Sequence, residues 1–377
     1  MSRSCPIIGI TMGDPCGIGP EIIVKALADE SLCCQGRFVI FGFSEMIAYA
    51  ADLAEVDLRW YRDHYEDFLS STSSISARSR AWRERQDNDN GSGLGADQVD
   101  IDPGITVLDY DELTMPILGE HRPNRYSGEA SMAFLEDAID AAKRGLIDAL
   151  VTAPISKHAW RLAGYKFPGH TEVLAKRTGT KNYAMMFVAP AMKVILATTH
   201  ESLAEVPVHL TIGRVFNPID LADKALREWF GIEHPRIAVC GLNPHAGEDG
   251  QFGDEEKRII SPAILMASEA GIDVSGPYPA DTLFRQALDG QFDCVVAMYH
   301  DQAMIPLKLI AWSEAVNLTV GLPIIRTSPG HGTAFDIAGK NRADASPMKA
   351  AIRLAMDLAR RRMEKNTKTT DERVKKT

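Results

Sequence analysis

The sequence predicts an α/β fold on a mainly parallel sheet. Short apolar runs of β character alternate with stretches of helical spacing, which is the pattern of βαβ units. A length of 377 residues suits two domains or one large α/β unit, and 45% hydrophobic, 24% charged and 7% aromatic residues are ordinary for a globular chain.

"PIIGIT" opens the chain as a strand, its apolar residues unbroken as in a strand covered on both faces. "GITMGDPCGIGPEII" then places Gly13, Gly17 and Gly19 ahead of a helix. Pro20 and Glu21 suit its first turn, where an N–H is unbonded in any case and a carboxylate meets the positive end. Gly13 and Gly17 stand four apart, so this is not the dinucleotide GxGxxG arrangement. "RFVIFG" and "ITVLDY" are the next strands, and between them residues 70–104 are rich in Ser, Asp, Asn and Gly without apolar periodicity. That composition predicts a mobile surface insertion with one short basic helix around residues 78–85. Residues 130–144 carry Phe134, Leu135, Ile139 and Ala142 at helical spacing. "DALVTAP", "KVILATTH", "RIAVCGLNPH" and "DCVVAMYH" follow as strands, and the charged tail of 361–377 is expected to fray.

No apolar run spans a bilayer and the N-terminus lacks the apolar core of a signal peptide, so the chain reads as cytoplasmic. A net charge of −10 argues against nucleic-acid binding but permits a small anion held by a few placed cations. Cys5, Cys16, Cys33, Cys34, Cys240 and Cys294 form no CxxC pair, which predicts reduced structural thiols.

Three histidines stand out. His200 ends "VILATTH", His245 ends "IAVCGLNPH" and His300 ends "VVAMYH", each shortly after a strand. Ligands of open α/β sheets collect beyond the carboxyl ends of strands, and neutral imidazole is the commonest ligand of zinc-like ions. A single histidine there is ordinarily a loop residue bonded to backbone; three make a metal site as good a reading as three such loops. Asp281 in "PADTLF" and Asp301 beside His300 are carboxylates able to orient a ligand histidine or move a proton, although a helix cap also explains Asp281.

A second set favours anions. "FPGHTEVLA" puts His170 and Thr171 where a helix begins, and Lys308, Asn317 and Arg326 supply the donors that a phosphate ester needs. "SPGHGTAFDIAGKN" adds a second glycine loop with His331 and Asp336, which alone reads as a long turn.

Taken together, "GITMGDPCGIGPE", "FPGHTEVLA", "ATTH", "CGLNPHAGE", "PADTLF", "MYHDQ" and "NLTVGLPIIRTSPGHGTAFDIAG" resemble the 4-hydroxythreonine-4-phosphate dehydrogenase family of vitamin B6 synthesis. The terminal glycine stretches are also similar to those of isocitrate and isopropylmalate dehydrogenases. The resemblance implies a two-domain fold of that type with the active-site cleft between domains: residues 1–147 plus 312–377 on the cofactor side, 148–311 on the metal and substrate side. It implies NAD or NADP near His331, Gly332, Thr333 and Asp336, and one divalent metal (zinc, magnesium or cobalt) on His200, His245 and His300. Substrate contacts would be His170, Thr171, Lys308, Asn317 and Arg326, with Asp281 or Lys308 as the general base. "HDQAMIPLK" departs from the family's more usual "HDQGLxPLK" without removing a functional side chain. The implied enzyme is a homodimer with a shared site. It oxidises 4-phosphooxy-L-threonine, whose keto product loses CO2 to give 3-amino-2-oxopropyl phosphate, a step toward pyridoxine 5'-phosphate. Three rivals stand beside it: a relative oxidising a phosphorylated sugar acid or an aromatic-acid cis-dihydrodiol, a metal-dependent hydrolase, and a catalytically silent phosphate-ligand binder.

Overall fold

Strands and helices alternate along residues 5–70 and 104–374, the part of the chain that the computed structural model describes. The expected insertion, with its basic helix, lies outside the described residues except at its two ends. The strands are β1 (Ile7–Thr11), β2 (Arg37–Phe41), β3 (Tyr61–His64), β4 (Ile105–Asp109), β5 (Ala149–Thr152), β6 (Ala184–Ala189), β7 (Met192–Leu196), β8 (Ile237–Cys240), β9 (Val274–Tyr278), β10 (Cys294–Ala297), β11 (Val316–Val320) and β12 (Arg326–Pro329). They form one sheet in the order β3-β4-β2-β1-β5-β12-β11-β6-β7-β10-β8-β9.

Pairing is parallel from β3 to β12 and again from β7 to β9. Between these halves, β11 pairs antiparallel with both β12 and β6, and β6 with β7. The strand direction therefore reverses midway, and β7, β10, β8 and β9 run opposite in the ladder to β1, β2, β4 and β5. The antiparallel centre is a departure from the βαβ pattern. Its antiparallel pairs β6–β7 and β11–β12 are each joined by a short connection, at Pro190–Ala191 and at residues 321–325, and β11 is set beside β6.

Both faces of the sheet are covered, which is why its central strands read as unbroken apolar runs. On β7, Ile195 packs into the larger core while Met192, Val194 and Leu196 pack into a second one. That second core also takes Val295 and Ala297 of β10, Leu283 and Phe284 of helix Ala280–Leu288, and Leu307 of helix His300–Ile310. The chain end differs from expectation. One helix runs from Ser346 to Val374, past Arg360, because the tail's Lys, Arg, Glu and Met are good helix formers. No helix among the described residues is long and apolar enough to cross a membrane. All six cysteines are free.

The N-terminal glycine loop is fixed from both sides. Gly13 sits at φ +72° and a Cβ there would lie 2.3 Å from the Pro154 carbonyl, so glycine is required. Asp14 is fully buried and accepts from Cys16 N (3.0 Å) and Ser127 Oγ (3.2 Å). Burial outweighs these two bonds and pushes its carboxyl up to about 6. A raised carboxyl pKa means that the folded chain binds more protons than the unfolded one, so Asp14 disfavours folding as pH rises from about 4 to about 6. Above that range the cost is about 3 kcal/mol. Asp14→Asn, which keeps an acceptor for Cys16 N, should therefore be more stable than the parent at pH 7 and equal to it below pH ~4, read from denaturant unfolding at both pH values.

Candidate active site

The site is built where the parallel ladder of β7 and β10 runs out. Beyond the paired strands, Ala197 N still donates to Ala297 O (2.8 Å) and Thr198 N to Met298 O (3.2 Å). His200 and His300 each follow two residues later, so register alone brings them together, with ring centroids 5.8 Å apart. His300 Nδ1 lies 2.6 Å from Asp301 Oδ1, which leaves Nε2 as its free nitrogen. Burial, then Lys157, then His300 hold His200 below the usual histidine range. Its ring is thus neutral at pH 7, the form that ligates a metal.

His245 does not join them. It follows β8 by five residues, inside a run of left-handed backbone with φ of 53°, 53°, 87°, 42° and 55° from His245 to Asp249. This run carries the ring out to solvent beside Phe252, at a centroid distance of 6.2 Å. The sequence predicts three strand ends that converge; the chain brings two together. Among the described residues no three His, Cys, Asp or Glu side chains form a group able to hold a metal ion.

Beside His200 opens a cavity of about 200 Å³ whose walls include Thr152, Lys157, His170, Thr171, Glu172, His200, Asn317, Arg326, Ser328, His331 and Gly332. Arg326, the first residue of β12, is 2% exposed. Its guanidinium donates to Thr152 Oγ1 (2.6 Å from Nη2, 3.1 Å from Nε) and to Thr319 Oγ1 (3.2 Å), and among the described residues to no carboxylate. Burial lowers its pKa to about 10, with Glu172 acting weakly against that. A buried cation held by neutral hydroxyls is costly in an empty site, and an anion would relieve it.

His170 opens helix His170–Thr178 after Gly169, edge-on to Trp160 at a centroid distance of 5.7 Å. Burial and then Arg326 push it well below the usual histidine range, so it faces the cavity neutral. Among the described residues neither its Nε2 nor Asn317 Oδ1 has a hydrogen-bond partner, and His331 Nε2 is in the same state. The two glycine loops meet behind this end: Ile18 N donates to Thr333 O (3.0 Å), and a Cβ on Gly17 would come within 2.9 Å of that oxygen.

Of the expected substrate and cofactor residues, His170, Thr171, Asn317, Arg326, His331 and Gly332 thus line one cavity, with Thr333 just behind. Lys308, Asp281 and Asp336 are not in its walls. Lys308 is exposed near the end of helix His300–Ile310, its Nζ 5.4 Å from the centre of the Trp312 ring. Asp281 is exposed in the first turn of helix Ala280–Leu288, and Asp336 is exposed in the turn after Phe335. Lys157 and Glu172 were missed by the sequence reading. Their signal was position: Lys157 follows β5 and Glu172 sits two residues after His170, both beside elements already singled out.

A family model described as pyridoxal phosphate biosynthetic protein PdxA matches residues 36–355. The chain is 44% identical over 357 residues to a 4-hydroxythreonine-4-phosphate dehydrogenase of Desulforapulum autotrophicum, covering 94% of this chain and 96% of the relative. It is 42% identical over 353 residues to a D-threonate 4-phosphate dehydrogenase of Salmonella typhimurium, covering 93% and 98%. A crystal structure of 4-hydroxythreonine-4-phosphate dehydrogenase from Klebsiella pneumoniae superposes with a TM-score of 0.77 at 38% identity, covering 95% of this chain and 99% of that one.

Proposed function

The chain belongs to the PdxA family of dehydrogenases, with its isocitrate and isopropylmalate dehydrogenase-like α/β fold, and on that premise we propose that it oxidises 4-phosphooxy-L-threonine with NAD or NADP. The keto acid formed then loses CO2 to give 3-amino-2-oxopropyl phosphate. The observation that carries this reading is Arg326, a buried guanidinium that forms no ion pair among the described residues, facing a cavity whose wall includes His200, the neighbour of His300. An anionic substrate supplies the missing charge, and its alcohol then lies beside the two imidazoles.

Two imidazoles able to serve as donors to a divalent ion stand together. His200 is neutral, and His300 has its Nδ1 engaged by Asp301 and its Nε2 free. Imidazoles favour zinc or cobalt over magnesium. The cofactor end fits as well: among the described residues His331 Nε2 has no partner, and a Cβ on Gly332 would meet nothing within 4 Å. When bound, the metal supplies Lewis-acid polarisation of the alcohol and the nicotinamide accepts the hydride. The chain's own groups do the rest. Arg326 and Lys157 hold the phosphate or carboxylate, and His170 and Asn317 offer their unpaired atoms to the substrate's polar groups.

Lys308, His245 and Asp281 find a role in a homodimer with a shared site. The face around Lys308 exposes Leu309 (81%) and Trp312 (76%), an apolar surface that suits an isologous contact. In that arrangement His245 completes the metal site of the partner, and Lys308 or Asp281 serves as general base. Such an assembly would act on a small phosphorylated metabolite in the cytoplasm.

A second reading, oxidation of D-threonate 4-phosphate, rests on the Salmonella relative. The two substrates differ at C2, where one carries an ammonium and the other a hydroxyl. Glu172 favours the first, because a carboxylate on the cavity wall meets the ammonium with opposite charge. Growth of absorbance from reduced nicotinamide, measured with each substrate, decides between them. Glu172→Gln should cut kcat/KM for 4-phosphooxy-L-threonine by about 10-fold and leave the threonate ester within about 3-fold. Higher wild-type efficiency on D-threonate 4-phosphate would replace the first reading with the second.

A further inference from the structure

Beneath the histidine segments, three buried polar side chains tie neighbouring strand ends together. Thr198 Oγ1 donates to Met298 O at 2.7 Å. Gln302 accepts from Met298 N through Oε1 (2.7 Å) and donates from Nε2 to Gly241 O (2.8 Å). Glu256 Oε1 accepts from Leu242 N and Asn243 N (2.8 Å each), and its Oε2 from Asn243 Nδ2 (2.9 Å). Thr198, Gln302 and Glu256 are 3%, 8% and 4% exposed. The bonds run unbroken across three adjacent strands: from β7 at Thr198, through Met298 and Gln302 after β10, to Gly241 after β8, and on to the loop of His245.

Backbone groups just past a strand end have left the ladder, and in a dry interior each must find another partner. Here the partners are side chains that reach from one strand end to the next, so bonding also fixes the spacing of the segments. Gly241 shows how tightly they close: a Cβ there would lie 2.8 Å from Ala246 Cα and 3.2 Å from Glu256 Oε1. The left-handed run from His245 to Asp249 is strained for its non-glycine residues and persists only if held. Glu256 holds its root.

We propose that Thr198 and Gln302 are positioning residues that set the spacing of the His200 and His300 segments, and thereby the affinity and geometry of the metal site to which these two imidazoles contribute. The proposal rests on the reading of these histidines as metal ligands. Outer partners of metal ligands typically change affinity by about 10- to 100-fold when removed.

The test is a Co2+ titration of the full-length, metal-free protein, comparing wild type with Thr198→Val, Gln302→Met and His300→Ala. Three quantities are read: the Co2+ dissociation constant, the visible absorption bands of bound Co2+, and the thermal midpoint of the metal-free chain. Thr198→Val and Gln302→Met should each weaken Co2+ binding by about 10- to 100-fold and alter the bands, with a metal-free midpoint within about 5 °C of wild type. Wild-type affinity and bands in both variants overturn the proposal. Should Gln302→Met fail to fold, Thr198→Val decides alone, since valine keeps the shape and the backbone bond to Met298 O. His300→Ala separates the two levels: if it binds Co2+ like wild type, the metal-site reading itself falls and takes the proposal with it.

Discussion

Replacing Arg326 with methionine lowers kcat/KM for the phosphorylated substrate by about 30-fold to about 4,000-fold, while the folded chain keeps or gains stability. The first half follows from charge. Truncating a buried, hydrogen-bonded cation that faces an anion costs about 2–5 kcal/mol of binding, at ~1.4 kcal/mol for each tenfold. The second half follows from what Arg326 lacks. Two threonine hydroxyls are its partners, it forms no ion pair among the described residues, and Glu172 offsets its burial only in part, so the ligand-free protein bears a desolvated charge that methionine removes at similar length. Loss of activity with unchanged or raised thermal midpoint is the signature of a group kept for its ligand. Unphosphorylated 4-hydroxythreonine should separate wild type and variant far less. Equal loss on both compounds, or a midpoint that falls with activity, would show that Arg326 serves the fold.

The second large effect is rescue. If His245 serves the partner's site while His200 and His300 stay together, then mixing His245→Ala with either His200→Ala or His300→Ala restores activity. A mixed dimer then has one doubly damaged site and one intact site, because a two-fold interface exchanges the same surfaces. With random exchange about half of the dimers are mixed, so about a quarter of the sites recover. The pairing of His200→Ala with His300→Ala should stay silent, since their rings already share one chain at 5.8 Å. Silence from all three pairings, with exchange confirmed by mass, would place the whole metal site within one subunit.

Much of the fold was legible, and the illegible part has a common cause. "KVILATTH" and "DCVVAMYH" read as strands because burial on both faces leaves unbroken apolar runs, and they are β7 and β10 with the tails that follow them. β3, "YRDH", and β12, "RTSP", escaped notice. Neither carries an aliphatic residue, and each is extended because a neighbouring strand offers hydrogen bonds, which is context and not propensity. The antiparallel β11 and the β6–β7 hairpin were hidden for the same reason, since strand direction leaves no mark in composition.

By itself the sequence determined the α/β class, the histidines at strand ends and several of the residues that line one cavity, since these rest on apolar period and on residue type at a chain position. Only the tertiary structure decided which of them meet. Shared register of β7 and β10 joins His200 to His300, whereas a left-handed excursion after β8 turns His245 outward. Arginine reads as a surface residue in any sequence. The packing of β12 between β5 and β11 makes Arg326 a buried cation, because burial is a property of neighbours that lie 150 or more positions away along the chain, such as Thr152.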